Sequence, residues 1–191
     1  MIRFLWDHPF RELTVGRVMA DTTLSRPAFY QYFTDVHQLI EVLLGEVETV
    51  MHEIADPWIS GEGEPRAALW ESLRGVVQVC VDQGPILRAI AEAAPLDRRL
   101  EAAWSAFMGR WDDAVAARIE AEHAAGRVPA LNARRLARAL NSMDTAVLIA
   151  EFGRRPQGDP EAVLDTLYRV WVAALYAPRT SPAPDAHTSN K

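Results

Sequence analysis

Along most of the chain, apolar residues recur three and four positions apart, the spacing of one face of an α-helix. The stretch DVHQLIEVLLGEVETVMHEIAD places Leu39, Ile40, Leu43, Leu44, Val47, Val50, Met51 and Ile54 on such a face behind a capping Asp35. This predicts one long helix running to about residue 57. PWISGEGEP then interrupts the pattern with Pro and Gly, and RAALWESLRGVVQVCVDQ resumes it with Leu69, Trp70, Leu73, Val76, Val77, Cys80 and Val81. Gly84-Pro85 predicts a further break before a short apolar helix, ILRAIAEAA, that ends ahead of Pro95. The longest helix is expected over about residues 96–125, where Trp104, Phe107, Met108, Trp111, Val115 and Ile119 form a stripe until Gly126 and Pro129 stop it. Asn132 caps ARRLARALNSMDTAVLIAEF, and Asp159-Pro160 gives a cap and a first-turn proline to EAVLDTLYRVWVAALY. Strand alternation, repeats and glycine-rich phosphate loops are all missing from the sequence, so the fold class is all-α. PRTSPAPDAHTSNK is polar and Pro-rich, which predicts a disordered tail over 178–191.

The first forty residues are built from shorter pieces. TVGRVMAD can start a helix at Thr14 and SRPAFYQYF another at Ser25, with about four residues between them. Two short helices joined by a tight turn make a helix-turn-helix, whose second helix can enter a DNA major groove. Counted helically from Ser25, Phe29 and Phe33 fall one turn apart and can lock the second helix to its neighbours. Arg26, Tyr30 and Gln31 then face outward with groups that reach phosphates or base edges.

Composition narrows the function classes. With 191 residues, 49% of them hydrophobic, and no apolar run of membrane-spanning length, the chain reads as one or two soluble, cytoplasmic domains. Cys80 is the single cysteine and sits among valines, so an intrachain disulfide is excluded and a buried structural thiol is expected. A net charge of -6 confines any nucleic-acid contact to a local surface. Enzyme signatures are lacking: there is no G-x-S-x-G or P-loop, and the five histidines are scattered. Asp112 and Asp113 are adjacent on a helix and diverge by about 100°, so they cannot act as one acid/base pair. No catalytic residue, metal or cofactor is expected.

LTVGRVM, LSRPAFYQYF, WSAFMGRW, ALNSM and LDTLYRVWVAALY, in that order, resemble TetR-type transcriptional regulators, and among them the branch of the ethionamide-resistance repressor. The resemblance covers residues 4–177. It implies a helix-turn-helix DNA-binding domain over 1–45, with a truncated first helix, and a helical ligand-binding and dimerisation domain over 46–177. It implies a homodimer on double-stranded operator DNA, with Thr14, Arg17, Ser25, Arg26, Pro27, Tyr30, Gln31 and Tyr32 on the DNA side. It also implies an elongated tunnel for an apolar small-molecule effector, lined by Trp70, Arg74, Val77, Trp104, Phe107, Met108, Trp111, Asn141, Asp144, Leu148 and Trp171. A bulky aromatic core is the other reading of the same tryptophans. Asn141 matches a residue that offers its amide to ligand in the family, so a ligand carbonyl would satisfy it.

Asp144 stands where the family protein has Asn, and Arg74 where it has an apolar residue. The two either form an ion pair across the tunnel or select a ligand with a charged or strongly polar end; otherwise both reach solvent. The two last helices, about 132–153 and 160–177, would pair with their symmetry mates through faces carrying Leu136, Leu140, Met143, Val147, Leu164, Leu167 and Leu175. Other departures touch DNA binding. Thr23 replaces a turn Gly, Val36 replaces a Lys, and residues 1–40 hold four Arg against Asp7, Glu12, Asp21 and Asp35. Two readings follow: coding sequence upstream of Met1 completes a basic first helix, or the chain is a ligand-binding dimer that has lost specific DNA binding.

Overall fold

The computed structural model describes residues 1–20, 22–23 and 25–176, so the expected tail over 178–191 lies outside the described residues. Helices are the only regular elements among them. A head is formed by α1 (Ile2–Asp7), a 3-10 turn (Phe10–Glu12), α2 (Val15–Met19) and α3 (Arg26–Tyr32). The body follows as α4 (Val36–Ser60), α5 (Pro65–Ala93), a 3-10 turn (Ala94–Leu96), α6 (Arg98–Ala124), α7 (Ala133–Phe152) and α8 (Pro160–Tyr176).

Each predicted cap satisfies an otherwise orphaned backbone N–H. Thr14 Oγ1 accepts from Arg17 N at 3.3 Å, Ser25 Oγ from Ala28 N at 3.4 Å, Asp35 Oδ1 from Gln38 N at 2.8 Å and Asn132 Oδ1 from Arg135 N at 2.9 Å. Short as it is, α1 buries Leu5 and Trp6, and the head closes over Phe10, Leu13, Val18 and Phe29. Phe29 and Phe33 meet one turn apart with tilted rings, centroids at 5.4 Å, so they anchor α3 as its spacing predicts.

The expected break at Gly84-Pro85 does not occur: α5 runs unbroken from Pro65 to Ala93 and is the longest helix, ahead of α6. Proline inside a helix deprives the carbonyl four residues earlier of its donor. That carbonyl belongs to Val81, and it accepts instead from Gln157 Nε2 at 2.8 Å. The preceding glycine has a separate reason. A Cβ on Gly84 would stand 2.3 Å from Phe152 O, so only glycine lets α5 cross the end of α7 this closely. Among the described residues the helix count is therefore eight, with the two predicted helices around residue 84 fused into one.

The pattern also ends α4 too early. Pro57 lies inside that helix, which runs on to Ser60 and ends at Gly61 in the left-handed conformation, φ 86°. This keeps Trp58 helical and buried. At the same end, the fully buried Glu122 of α6 is paired with Arg118 and receives Arg127 Nε at 2.7 Å and Nη2 at 2.9 Å.

The face expected to meet a second copy is corrected in part. Leu140, Leu164, Leu167 and Leu175 are buried inside the chain, while Leu136, Met143 and Val147 are half-buried. The outward faces carry small and apolar residues, Ala139, Ala146 and Ala150 on α7 and Ala162, Thr166, Val170 and Ala173 on α8, beside the exposed Arg135, Arg138 and Arg169.

Gly84→Ala should lower stability by about 1–3 kcal/mol, because its methyl meets backbone rather than a movable side chain. Gly109→Ala in α6, where a Cβ meets nothing within 4 Å, should instead raise it by up to about 1 kcal/mol through helix propensity. Urea unfolding of the two variants checks the opposite signs.

Candidate functional site

The body encloses a mostly apolar cavity walled by α4, α5, α6, α7 and α8. About 80 Å³ is open to the centres of water-sized molecules, room for roughly five waters. It is a narrow slot, and a drug-sized molecule must push side chains apart to enter.

Of the eleven residues the resemblance assigns to the tunnel, Trp104, Phe107, Met108, Trp111, Asn141, Asp144, Leu148 and Trp171 line the cavity. Trp70, Arg74 and Val77 do not. On α5 the lining face is Leu69, Ser72, Leu73 and Val76, one residue earlier at each turn, which is a rotation of about 100°. Trp70 packs edge-on against Tyr168 of α8, ring centroids at 5.0 Å, while Val77 is buried in the core. Arg74 is solvent-exposed and pairs with Glu71, its Nε donating at 2.9 Å, so no ion pair with Asp144 crosses the cavity.

Sequence reasoning missed the α4 wall, formed by Met51, Ala55, Trp58 and Ile59. Their spacing of four, three and one carries the helical signal, which reading Pro57 as a breaker concealed. Ser72 also lines the slot and ties α5 to α4 by donating from Oγ to Ala55 O at 3.2 Å.

The polar groups are few. Asn141 Nδ2 donates to Asp112 Oδ1 at 2.9 Å, so its amide N–H is met within the chain and does not need the expected ligand carbonyl. Asp113 pairs with Arg134, and the two adjacent carboxylates thus diverge as expected on a helix. Both oxygens of Asp144 accept from Trp171 Nε1, at 3.1 and 3.0 Å, and among the described residues no cation pairs with this carboxylate. Burial pushes the Asp144 carboxyl up to about 7, with the Trp171 hydrogen bond opposing the rise. Burial, reinforced by the nearby Asp144 charge, pushes the Cys80 thiol up to about 12, which leaves it an inert core thiol.

In the head, all eight residues assigned to the DNA side are exposed. Tyr30 and Tyr32 stand out at 59% and 74%. Thr14 and Ser25 are occupied as caps, and Arg17 lies over the Phe4 ring at 5.7 Å. Arg26 folds back over α2: a Cβ on Gly16 would meet its Nη2 at 2.8 Å.

Head and cavity share two helices. α4 begins at the head, where Asp35 receives Arg99 Nη2 from α6 at 2.7 Å, and lines the slot at its far end. On α5, Leu87 lines the slot and its neighbour Arg88 is buried. Arg88 donates to Leu5 O, to His8 O at 2.9 Å, to Gly153 O at 2.8 Å and to Glu92 Oε1 at 2.9 Å. One side chain thus joins α1, α5 and the end of α7.

The Asp144 environment makes stability depend on pH. A carboxyl that titrates near 3.8 unfolded and near 7 folded favours the folded state fully below about pH 4, an advantage lost as pH rises to about 7. Asp144→Asn keeps an acceptor for Trp171 but cannot ionise. It should therefore raise the melting temperature at pH 8, by stabilisation on the order of a few kcal/mol, and by much less at pH 4. Thermal unfolding at both pH values reads the difference.

These features match known proteins over nearly the whole chain. The family model for the C-terminal domain of the transcriptional regulator EthR matches residues 69–177. The HTH-type transcriptional regulator EthR of Mycobacterium tuberculosis is 30% identical over 179 residues, covering 90% of this chain and 82% of that protein. EthR of Mycolicibacterium smegmatis is 27% identical over 180 residues, covering 91% and 82%. Among solved structures, a TetR-family transcriptional regulator from Rhodococcus sp. superposes with a TM-score of 0.61 at 16% identity, covering 87% of this chain and 89% of that one. A transcriptional regulator from Cytophaga hutchinsonii gives 0.59 at 15%, covering 91% and 89%. No helix among the described residues is long and apolar enough to cross a membrane. With its helix-turn-helix head, its all-helical body and this sequence match, the chain belongs to the TetR family of transcriptional regulators, of the EthR type.

Proposed function

We propose that this regulator binds operator DNA as a homodimer through α3 and releases it when an apolar small molecule occupies the cavity, the behaviour of a repressor with an inducer. The observation that carries the reading is the sharing of α4 and α5 between slot and head. A slot with room for only a few waters cannot fill without moving its walls, and two of those walls hold the head. A ligand that fits the widened form better than the narrow one shifts the protein toward it, and weakens DNA binding by the same differential affinity.

In this reading Ser25 and Thr14 cap the two helices beside the phosphates, while Tyr30, Gln31 and Tyr32 present exposed groups from α3. Arg26 swings off Gly16 to reach phosphate or base, a move open to a long exposed side chain. Two heads are needed for a near-palindromic site. The dimer would form through the small-residue faces of α7 and α8, whose alanines let helices from two copies approach closely. The reading needs no chemistry from the protein, and all the relatives named above are regulators.

A head with as many acids as arginines favours weak, salt-sensitive binding, and loss of specific binding is the competing reading. Anisotropy titration of the DNA flanking the protein's own gene, across salt concentrations, separates the two. The proposed function expects two protomers per specific site and a loss of about tenfold or more for Arg26→Ala, with an unchanged melting temperature. Equal affinity for that DNA and for scrambled DNA would leave only the ligand-binding dimer.

A further inference from the structure

We propose that the cavity selects an apolar ligand carrying a cationic ammonium group, which Asp144 binds beside the Trp171 indole. The inference rests on the ligand-binding reading of the cavity and adds the chemical class of the ligand. Its first ground is the isolation of the charge. Asp144 lines the slot, its only hydrogen-bond partner among the described residues is Trp171 Nε1, and Arg74, the candidate cation on α5, points to solvent.

A second acceptor lies one turn away on the same face of α7. Asn141 lines the slot, its Nδ2 is committed to Asp112, and its Oδ1 receives no hydrogen bond among the described residues. An ammonium brings several donors and no acceptor, which suits two acceptors one helical turn apart.

The surrounding walls are aromatic. Trp58, Trp104, Trp111 and Trp171 all line the slot. One face of Trp111 is covered by His52 and one of Trp104 by Phe107. Any indole face left toward the slot attracts a cation, more so where water is excluded. A carboxylate in this apolar slot is costly while no cation accompanies it, and burial lifts its carboxyl to about 7. An incoming cation removes that cost by pairing with the charge. A neutral ligand leaves it in place.

The test uses two probes of one carbon skeleton, 4-phenylbutylamine and 4-phenylbutan-1-ol, titrated calorimetrically into the full chain at pH 8. The wild type should bind the amine more tightly than the alcohol by on the order of tenfold or more. Asp144→Asn, which preserves shape and the acceptor for Trp171, should abolish that preference. Equal binding of both probes by the wild type would overturn cation selection yet leave a ligand cavity. The same holds if Asp144→Asn retains the preference. Binding of neither probe would overturn this inference and count against the cavity as a ligand site as well.

Discussion

The continuity of α5 through Gly84-Pro85 is the constraint on which the arrangement depends. A proline in mid-helix costs a hydrogen bond, and here the lost donor to Val81 O is replaced by Gln157 Nε2 from the loop between α7 and α8. Glycine beside it lets the helix press on the end of α7. Because the helix does not break, Leu87 in the slot and Arg88 under the head are consecutive residues of one rigid element. Had α5 ended at residue 84, cavity and head would meet across a flexible joint.

The same geometry divides the polar residues by what they do. Arg88 and Gln157 meet backbone carbonyls that would otherwise be short of donors, and Ser72 adds a bond to Ala55 O, so all three hold elements together. Asp144 does not fit this pattern. Among the described residues its one hydrogen-bond partner is an indole N–H, and it sits in an apolar slot at an energetic cost. That uncompensated carboxylate is the observation on which the proposed ligand class rests.

Much of this was legible in the sequence, because caps and amphipathic periods are local. Thr14, Ser25, Asp35 and Asn132 cap where the sequence places them, and the stripe from Trp104 to Trp111 does face the cavity. The failures share a cause: each depends on a partner remote in sequence. Pro85 is tolerated because of Gln157, and the Asn141 Nδ2 donates to Asp112. The rotation of α5 that turns Arg74 outward and Val76 inward is fixed by packing against α4 and α8, not by its own period. The leucines of α8 illustrate the remaining ambiguity, since a period of 3.6 marks an apolar face without saying whether one's own chain or a second copy covers it.

The central claim is that occupancy of the slot reaches the head through Leu87 and Arg88. It is tested most directly by a double-mutant cycle on operator affinity. Val76→Trp fills the slot from its α5 wall as a built-in ligand, and Arg88→Gln loosens the tie to α1. The account predicts that Val76→Trp weakens operator binding by about tenfold in the wild-type background, and by less than about threefold when Arg88→Gln is also present. An equal loss in both backgrounds would contradict it.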